Sequence, residues 1–248
     1  MTDLDRLYVA ALAREMRNED TLHVGASQED VWIAARLATS LWAPRMRLVA
    51  GGSFLLSRGD SQDVIPRTYS RDHIAARSAT FRQSFVFDDL KRSRVVFAGG
   101  MQVDSRGNAN IVGIYDEDRL VVRGPGSGGL PTLTSFSERF YLTVPAHTPR
   151  VMIPRVSRVS VLGDPEERRK VGLPADSLFA VITPLARFEP TQAGLRLTEI
   201  APGWSVDDVA RETGFPIVVA EELAVRGSLT SDESGILKTL FDTNQRSW

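Results

Sequence analysis

Three strand-length segments of this chain run directly into glycine, and this pattern restricts the fold more than any other feature. Residues 46–50 lead into Gly51-Gly52, 94–98 into Gly99-Gly100, and 120–123 into Gly124-Pro125-Gly126-Ser127-Gly128-Gly129. Glycine at such ends removes the Cβ that would keep a ligand away from the backbone. In open α/β sheets, ligands bind at strand ends of this kind. One crevice lined by several loops is therefore expected, and its tools would be backbone N–H groups, which can cradle a phosphate or an oxyanion.

The rest of the pattern agrees with an α/β fold. Leu4, Leu7, Tyr8, Ala11 and Leu12 fall on one helical face, and Thr2 with Asp5 forms a capping-box pair. A second helix is expected from Ser27 through Leu41, and a third over 72–89. The stretch Asp104-Ser105-Arg106-Gly107-Asn108 reads as a tight turn. Strands are expected over 111–115, 120–123, 140–144, 151–153 and 158–162, then a β-meander over 179–183, 186–188 and 195–200. Ser205 with Asp208 caps a helix to Thr213, with Gly214 at its stop. Residues 217–219 read as a strand and 233–241 as a last helix. Asp88-Asp89, Asp116-Glu117-Asp118 and Glu221-Glu222 read as solvated helix ends and turns. Helices alternate with strands early and strands cluster later, the mark of a mixed sheet in one domain.

Composition removes whole classes of chemistry. There is no cysteine among 248 residues, so disulfides, thiolate catalysis and zinc–thiolate sites are excluded. The three histidines, His23, His73 and His147, are scattered and read as structural or surface residues, with no metal site expected. The net charge of −1 gives no electrostatic case for nucleic acid, although 27 of the 30 basic residues are arginine. No apolar run is long enough for a membrane span, and the acidic start lacks a signal-peptide core. A cytoplasmic protein is expected. The glycine stretch 124–129 is neither a Walker loop nor a dinucleotide fingerprint, and no Ser-His-Asp set stands out.

Taken together, these segments resemble the β subunit of the class I (glutaconate-type) CoA-transferases over nearly the whole chain. The family pattern G-x-x-Q-x-D-x-x-G-N-x-N matches Gly99 or Gly100, Gln102, Asp104, Gly107, Asn108 and Asn110. Its G-x-G-G loop matches Gly126-Ser127-Gly128-Gly129. Ala43-Pro44, the segment 168–174 and Pro202…Val209…Glu212-Thr213-Gly214-Phe215 also match. The resemblance implies a single domain over 1–248 with a mixed, mainly parallel sheet flanked by helices. It implies an α-type partner in an αβ or α2β2 assembly, with an acyl-CoA at the interface. Coenzyme A would be present only as a substrate thioester, without a permanently bound cofactor. Gly100, Gln102, Asp104, Gly107, Asn108, Gly126, Ser127, Gly128 and Gly129 are the implied binding residues.

At one position the chain departs from the family. The family's β-subunit glutamate, which carries CoA as a glutamyl thioester, falls at Gly51, and no Asp or Glu occurs from 31 to 59. Ser53 is nearby, but nothing in the sequence activates its hydroxyl. The chain is also similar to bacterial steroid-degradation hydrolases of this architecture, which open a ring of a cyclic acyl-CoA by adding water across a C–C bond. In that branch the essential carboxylate comes from the other subunit. Three readings stand at this point: ring-opening hydrolase, orthodox CoA-transferase, and non-catalytic acyl-CoA-binding subunit. A sugar-phosphate isomerase relative sharing the fold fits the Gln-x-Asp motif poorly.

Overall fold

The computed structural model describes residues 2–24, 28–50, 54–56, 78–80 and 94–245. They form two compact units, residues 1–97 with 228–248, and residues 98–227.

The first unit opens on α1 (Asp3–Arg14), capped as expected: Thr2 Oγ1 accepts from Asp5 N, and Asp5 Oδ2 accepts from Thr2 N. Its buried residues are Tyr8, Val9, Ala10, Leu12 and Ala13, with Leu4 and Leu7 only half-buried. Strand β1 (Thr21–Val24), helix α2 (Glu29–Leu41), β2 (Arg47–Ala50), β3 (Phe54–Leu56), β4 (Ser78–Thr80) and β5 (Val95–Gly99) follow. Strand β1 lies between β2 and β5, parallel to both, and β3 and β4 extend the sheet antiparallel beyond β2. The C-terminal helix Ser231–Gln245 packs on α2. Arg14 pins it with a two-pronged ion pair to Glu233, Nε–Oε1 2.9 Å and Nη2–Oε2 2.8 Å. That pair holds the Glu233 carboxyl below its ordinary value, against the opposing effect of burial.

The second unit contains β6 (Gln102–Asp104), β7 (Ala109–Asn110), β8 (Gly113–Asp116), β9 (Arg119–Arg123), α3 (Leu130–Phe136), β10 (Arg139–Thr143), β11 (Met152–Ile153), α4 (Pro165–Lys170), β12 (Leu178–Ile182), β13 (Ala186–Thr191), β14 (Gly194–Ile200), α5 (Val206–Arg211) and β15 (Val218–Val225). Its main sheet runs β10-β12-β13-β14-β15. The outer pairs β10–β12 and β14–β15 are parallel, and the meander β12-β13-β14 between them is antiparallel. A small sheet β11-β6-β7 and a hairpin β8–β9 stand apart from it. Phe140, Tyr141, Leu142, Ile182, Phe188 and Leu197 form the core of the sheet.

Several expectations change. Ser78–Thr80 is a strand and not part of a helix over 72–89, because pairing with β3 outweighs the local helical pattern. The rest of that span, including His73, lies outside the described residues, as does Ser27, so the described part of α2 is preceded by Gln28. Residues 158–162 do not form a strand. Only Val161 bridges to Ala109, because Ser160 spends its N–H on Ala109 O and its hydroxyl on Ile111 N. Glu221-Glu222 lies inside β15 and not at a helix end. Helices α3 and α4 are additions to the elements expected from the sequence. The second begins at Asp164-Pro165, where Asp164 accepts from Glu166 N at 2.9 Å, a cap followed by proline that is a readable sequence signal.

Three buried polar groups tie the second unit together. The Arg168 guanidinium, 1% exposed, donates to the carbonyls of Pro174, Leu162 and Thr134. Arg226 donates to Glu199 at 2.7 Å and to the carbonyls of Pro184 and Thr183. His147 joins Thr183 to Thr213, Nδ1–Oγ1 2.8 Å and Nε2–Oγ1 2.9 Å. The Thr213 hydroxyl donates to Val209 O at 2.7 Å and the Thr183 hydroxyl to Ala186 O at 3.2 Å, so the ring is tied through both hydroxyls to the backbone. Burial lowers the His147 pKa to about 4, keeping the ring neutral. Thr213→Val removes one of these contacts and strands a buried ring nitrogen. It should cost about 1–3 kcal/mol, read as a lower denaturant midpoint; an unchanged midpoint would show that the clamp contributes nothing.

Candidate functional site

The motif 99–110 folds as the sequence suggests, but its polar side chains face inward. Gly107 N bonds to Asp104 O at 2.9 Å, and Gly107 has φ +81°, the left-handed conformation that glycine tolerates. Asp104, 1% exposed, accepts from Arg106 N, Asn108 N, Asn108 Nδ2 and Val156 N at 2.9–3.3 Å. Asn108 Oδ1 accepts from Gly163 N and Asp164 N at 3.0 and 3.1 Å. Asn108 thereby ties the turn to the start of α4. Arg106 completes the tie with a two-pronged pair to Asp164, Nε–Oδ2 2.7 Å and Nη2–Oδ1 3.0 Å. Burial alone would raise the Asp164 pKa, but this pair and the helix N–H groups outweigh it and hold the carboxyl below its ordinary value.

Gln102 and Asn110 form the second half of the motif. Asn110, fully buried, donates Nδ2 to Gln102 Oε1 at 3.2 Å and to Gly113 O at 2.7 Å. Its Oδ1 accepts from Val112 N at 3.0 Å and Gly113 N at 3.4 Å. Gly100 sits beneath, where a Cβ would meet Ala109 Cβ at 3.1 Å and Gln102 O at 3.2 Å. The six motif residues Gly100, Gln102, Asp104, Gly107, Asn108 and Asn110 thus all pack or hydrogen-bond inside the chain.

The glycine loop has the opposite character. Gly124 N donates to Val112 O at 2.9 Å and Gly126 N to Ile111 O at 3.2 Å, so the loop leans on the segment that Asn110 organises. A Cβ on Gly124 would collide with Ile111 O. Beyond that anchor the loop opens. Gly126 has φ +91° and Gly128 φ +49°, and a Cβ on either would meet nothing within 4 Å. Ser127 O accepts from Leu130 N at 3.0 Å, which closes the loop onto α3. The N–H groups of Ser127, Gly128 and Gly129 have no hydrogen-bond partner among the described residues. Three consecutive free donors on a glycine backbone suit an anionic or carbonyl oxygen.

Gly51 and Ser53 lie outside the described residues, as does Gly52. Sequence reasoning did not single out Gly163, Ser160 or Arg106. Their roles depend on neighbours far away in the chain, and only the Asp-Pro cap beside Gly163 carried a local signal.

No family model matches the sequence. The chain is 32% identical over 155 residues to the β subunit of 3-oxoadipate CoA-transferase from Pseudomonas knackmussii, a match spanning 60% of this chain and 59% of that relative's length. It is 24% identical over 230 residues to the β subunit of glutaconate CoA-transferase from Acidaminococcus fermentans, covering 87% of this chain and 84% of the relative. The crystal structure of that glutaconate CoA-transferase has a TM-score of 0.83 at 20% identity, over 98% of this chain and 95% of that one. The decarboxylase AibA/AibB gives 0.83 at 24% identity, over 99% and 96%. IpdAB of Rhodococcus jostii RHA1 gives 0.74 at 21%, over 96% and 93%. The α/β fold with its mixed sheet is that of the CoA-transferases, and in sequence the chain is similar to the β subunits of two of them.

Proposed function

We propose that the chain is the β-type half of a heteromeric CoA-transferase-family enzyme, acting on an acyl-CoA with an α-type partner chain in an αβ or α2β2 assembly. The observation carrying this reading is the open loop at 126–129, with its three free N–H donors and two left-handed glycines. When the carbonyl of a thioester is attacked or enolised, negative charge collects on its oxygen. Preorganised N–H groups stabilise that charge, and losing one such donor typically costs about 10²–10³ in kcat. Ser127, Gly128 and Gly129 would supply the donors. Gly100, Gln102, Asp104, Gly107 and Asn108 would contribute by supporting the hairpin and turn around them.

Gly128→Val tests the loop. Valine is poorly tolerated at φ +49° and would fill the open space beside the donors. Turnover of acyl-CoA by the co-expressed pair should fall at least about 100-fold, alongside the loss of about 1–3 kcal/mol in stability that the strained backbone brings. Unchanged kcat/KM would remove the loop from the site.

Within this family role we favour carbon–carbon bond hydrolysis of a cyclic acyl-CoA over CoA transfer. Gly51 occupies the position of the family's glutamate, and no Asp or Glu occurs from 31 to 59. A glutamyl thioester cannot form on a residue without a side chain. Hydrolysis needs no carrier. The oxygen of water bonds to a ketone carbon, the adjacent C–C bond breaks, and the leaving carbon departs as a thioester enolate that takes up a proton. Because the broken bond belongs to a ring, the product is one molecule that carries both the new carboxylate and the CoA thioester, and the enolate oxygen is the one the loop would stabilise. The fold itself is compatible, since AibA/AibB is a decarboxylase and decarboxylation also breaks a C–C bond. Borohydride treatment of the working pair with acyl-CoA should leave this chain's mass unchanged. A reduced glutamyl adduct on this chain would overturn the hydrolytic reading in favour of an orthodox transferase. If the pair turned over no acyl-CoA, a purely CoA-binding role would remain.

A further inference from the structure

We infer that Asn110, with Gln102 and Ser160 behind it, is the positioning residue for the glycine loop. The inference rests on the proposed role of that loop. Asn110 is buried and spends all four of its side-chain hydrogen-bonding groups inside the chain, on Gln102 Oε1, Gly113 O, Val112 N and Gly113 N. Those bonds determine the path of residues 111–113. Ser160 Oγ accepts from Ile111 N at 3.1 Å and holds the same segment. The outward products of this segment are two carbonyls, Ile111 O and Val112 O, and they receive Gly126 N and Gly124 N. Gly124 fits against Ile111 O only because it lacks a Cβ. The chain of contacts therefore runs from a buried amide, through two backbone carbonyls, to the residue preceding the three free donors. Asn110 lies within this path and does not itself face the loop's open side.

The chemistry of the amide is specific. Asn110→Asp replaces the Nδ2 donor by an oxygen. Gln102 can turn its amide to answer it, but Gly113 O, 2.7 Å away, can only accept. A buried oxygen facing a carbonyl pushes residues 111–113 off their path, and the loop loses its two anchors. Ser160→Ala is the milder version, leaving Ile111 N unmatched without adding charge.

The test uses the full-length chain, hydrogen exchange at individual amides, and coenzyme A as the titrated probe. In Asn110→Asp the Gly124 and Gly126 amides should exchange at least about tenfold faster, and the Kd for coenzyme A should rise by a similar factor. If that variant does not fold, Ser160→Ala should give about threefold in both. Thr213→Val, which loosens the unit from the remote His147 contact, is the comparison at matched loss of Tm, and should move neither quantity more than about twofold. Should exchange at 124 and 126 and the Kd in Ser160→Ala or Asn110→Asp match those of Thr213→Val, the positioning role is overturned. Gly128→Val separates the two layers. If it weakens coenzyme A binding while the Asn110 and Ser160 variants do not, only the positioning inference falls. If it leaves binding intact, the loop reading falls and the inference with it.

Discussion

Replacing Gly163 by alanine should destabilise the protein by about 3 kcal/mol or more. An alanine Cβ there would collide with the carbonyl of Gly107, which is backbone and cannot swing aside as a side-chain tip could, and it would also approach Leu178 Cδ2 at 2.8 Å. Gly107 cannot retreat either, because it turns the chain at φ +81° and its own Cα faces Leu178. Any shift of residue 163 also breaks the two bonds that Gly163 N and Asp164 N make to Asn108 Oδ1, and with them the seat of the Arg106–Asp164 pair. At about 2–4 °C per kcal/mol for a chain of this size, Tm should fall by roughly 10 °C. A melting curve within about 2 °C of the unmodified protein would mean that the turn and the α4 entrance are not locked together as described.

Acid should unfold the protein through two histidines rather than through its carboxylates. Burial lowers both His23 and His147 from 6.5 to about 4. In the unfolded chain they regain the ordinary value, so below pH 6.5 the unfolded state binds protons that the folded state refuses. The stability they contribute is whole above about pH 6.5 and is lost as pH falls through the window down to about 4. Each shift corresponds to about 3 kcal/mol at full development. Together these approach the whole stability of a typical domain. Urea titrations should show the unfolding free energy falling by about 2.7 kcal/mol per pH unit across the middle of that window. Asp164 and Glu233, both held below their ordinary values, lose their contributions only at lower pH. A free energy that stays flat from pH 6.5 to 4.5 would contradict the burial of the two rings. His147→Gln should halve the slope, because one of the two titrating groups is gone.

The sequence was legible where local chemistry decides. The caps Thr2–Asp5 and Ser205–Asp208 both form as reciprocal pairs. The turn over 104–107 and the meander over 178–200 also follow the sequence pattern. It was misleading where a distant partner decides. Residues 78–80 join a strand, 158–162 answer the motif hairpin, and Gly214 ends no helix in a left-handed turn: its N–H donates to Met152 O at 2.7 Å, against which a Cβ would collide. The site divides along the same line. Gly126, Ser127, Gly128 and Gly129 could be read as an open backbone because glycine itself carries that property. The inward bonding of Gln102, Asp104 and Asn108 could not be read the same way, because polar side chains beside a glycine loop look the same in sequence whether they face in or out.

By itself, then, the sequence determined the α/β alternation, the capped helices, the family resemblance and the absence of any Asp or Glu from 31 to 59. These depend on residue type and on neighbours within a few positions. Only the tertiary structure decided that the motif's polar groups are spent inside the chain, that Gly163 and Gly107 must touch, and that three N–H groups at 127–129 are left without partners among the described residues. The reason is that a hydrogen bond belongs to two groups at once. Residue type shows that a donor exists, and only the folded chain shows whether another part of the protein has already taken it.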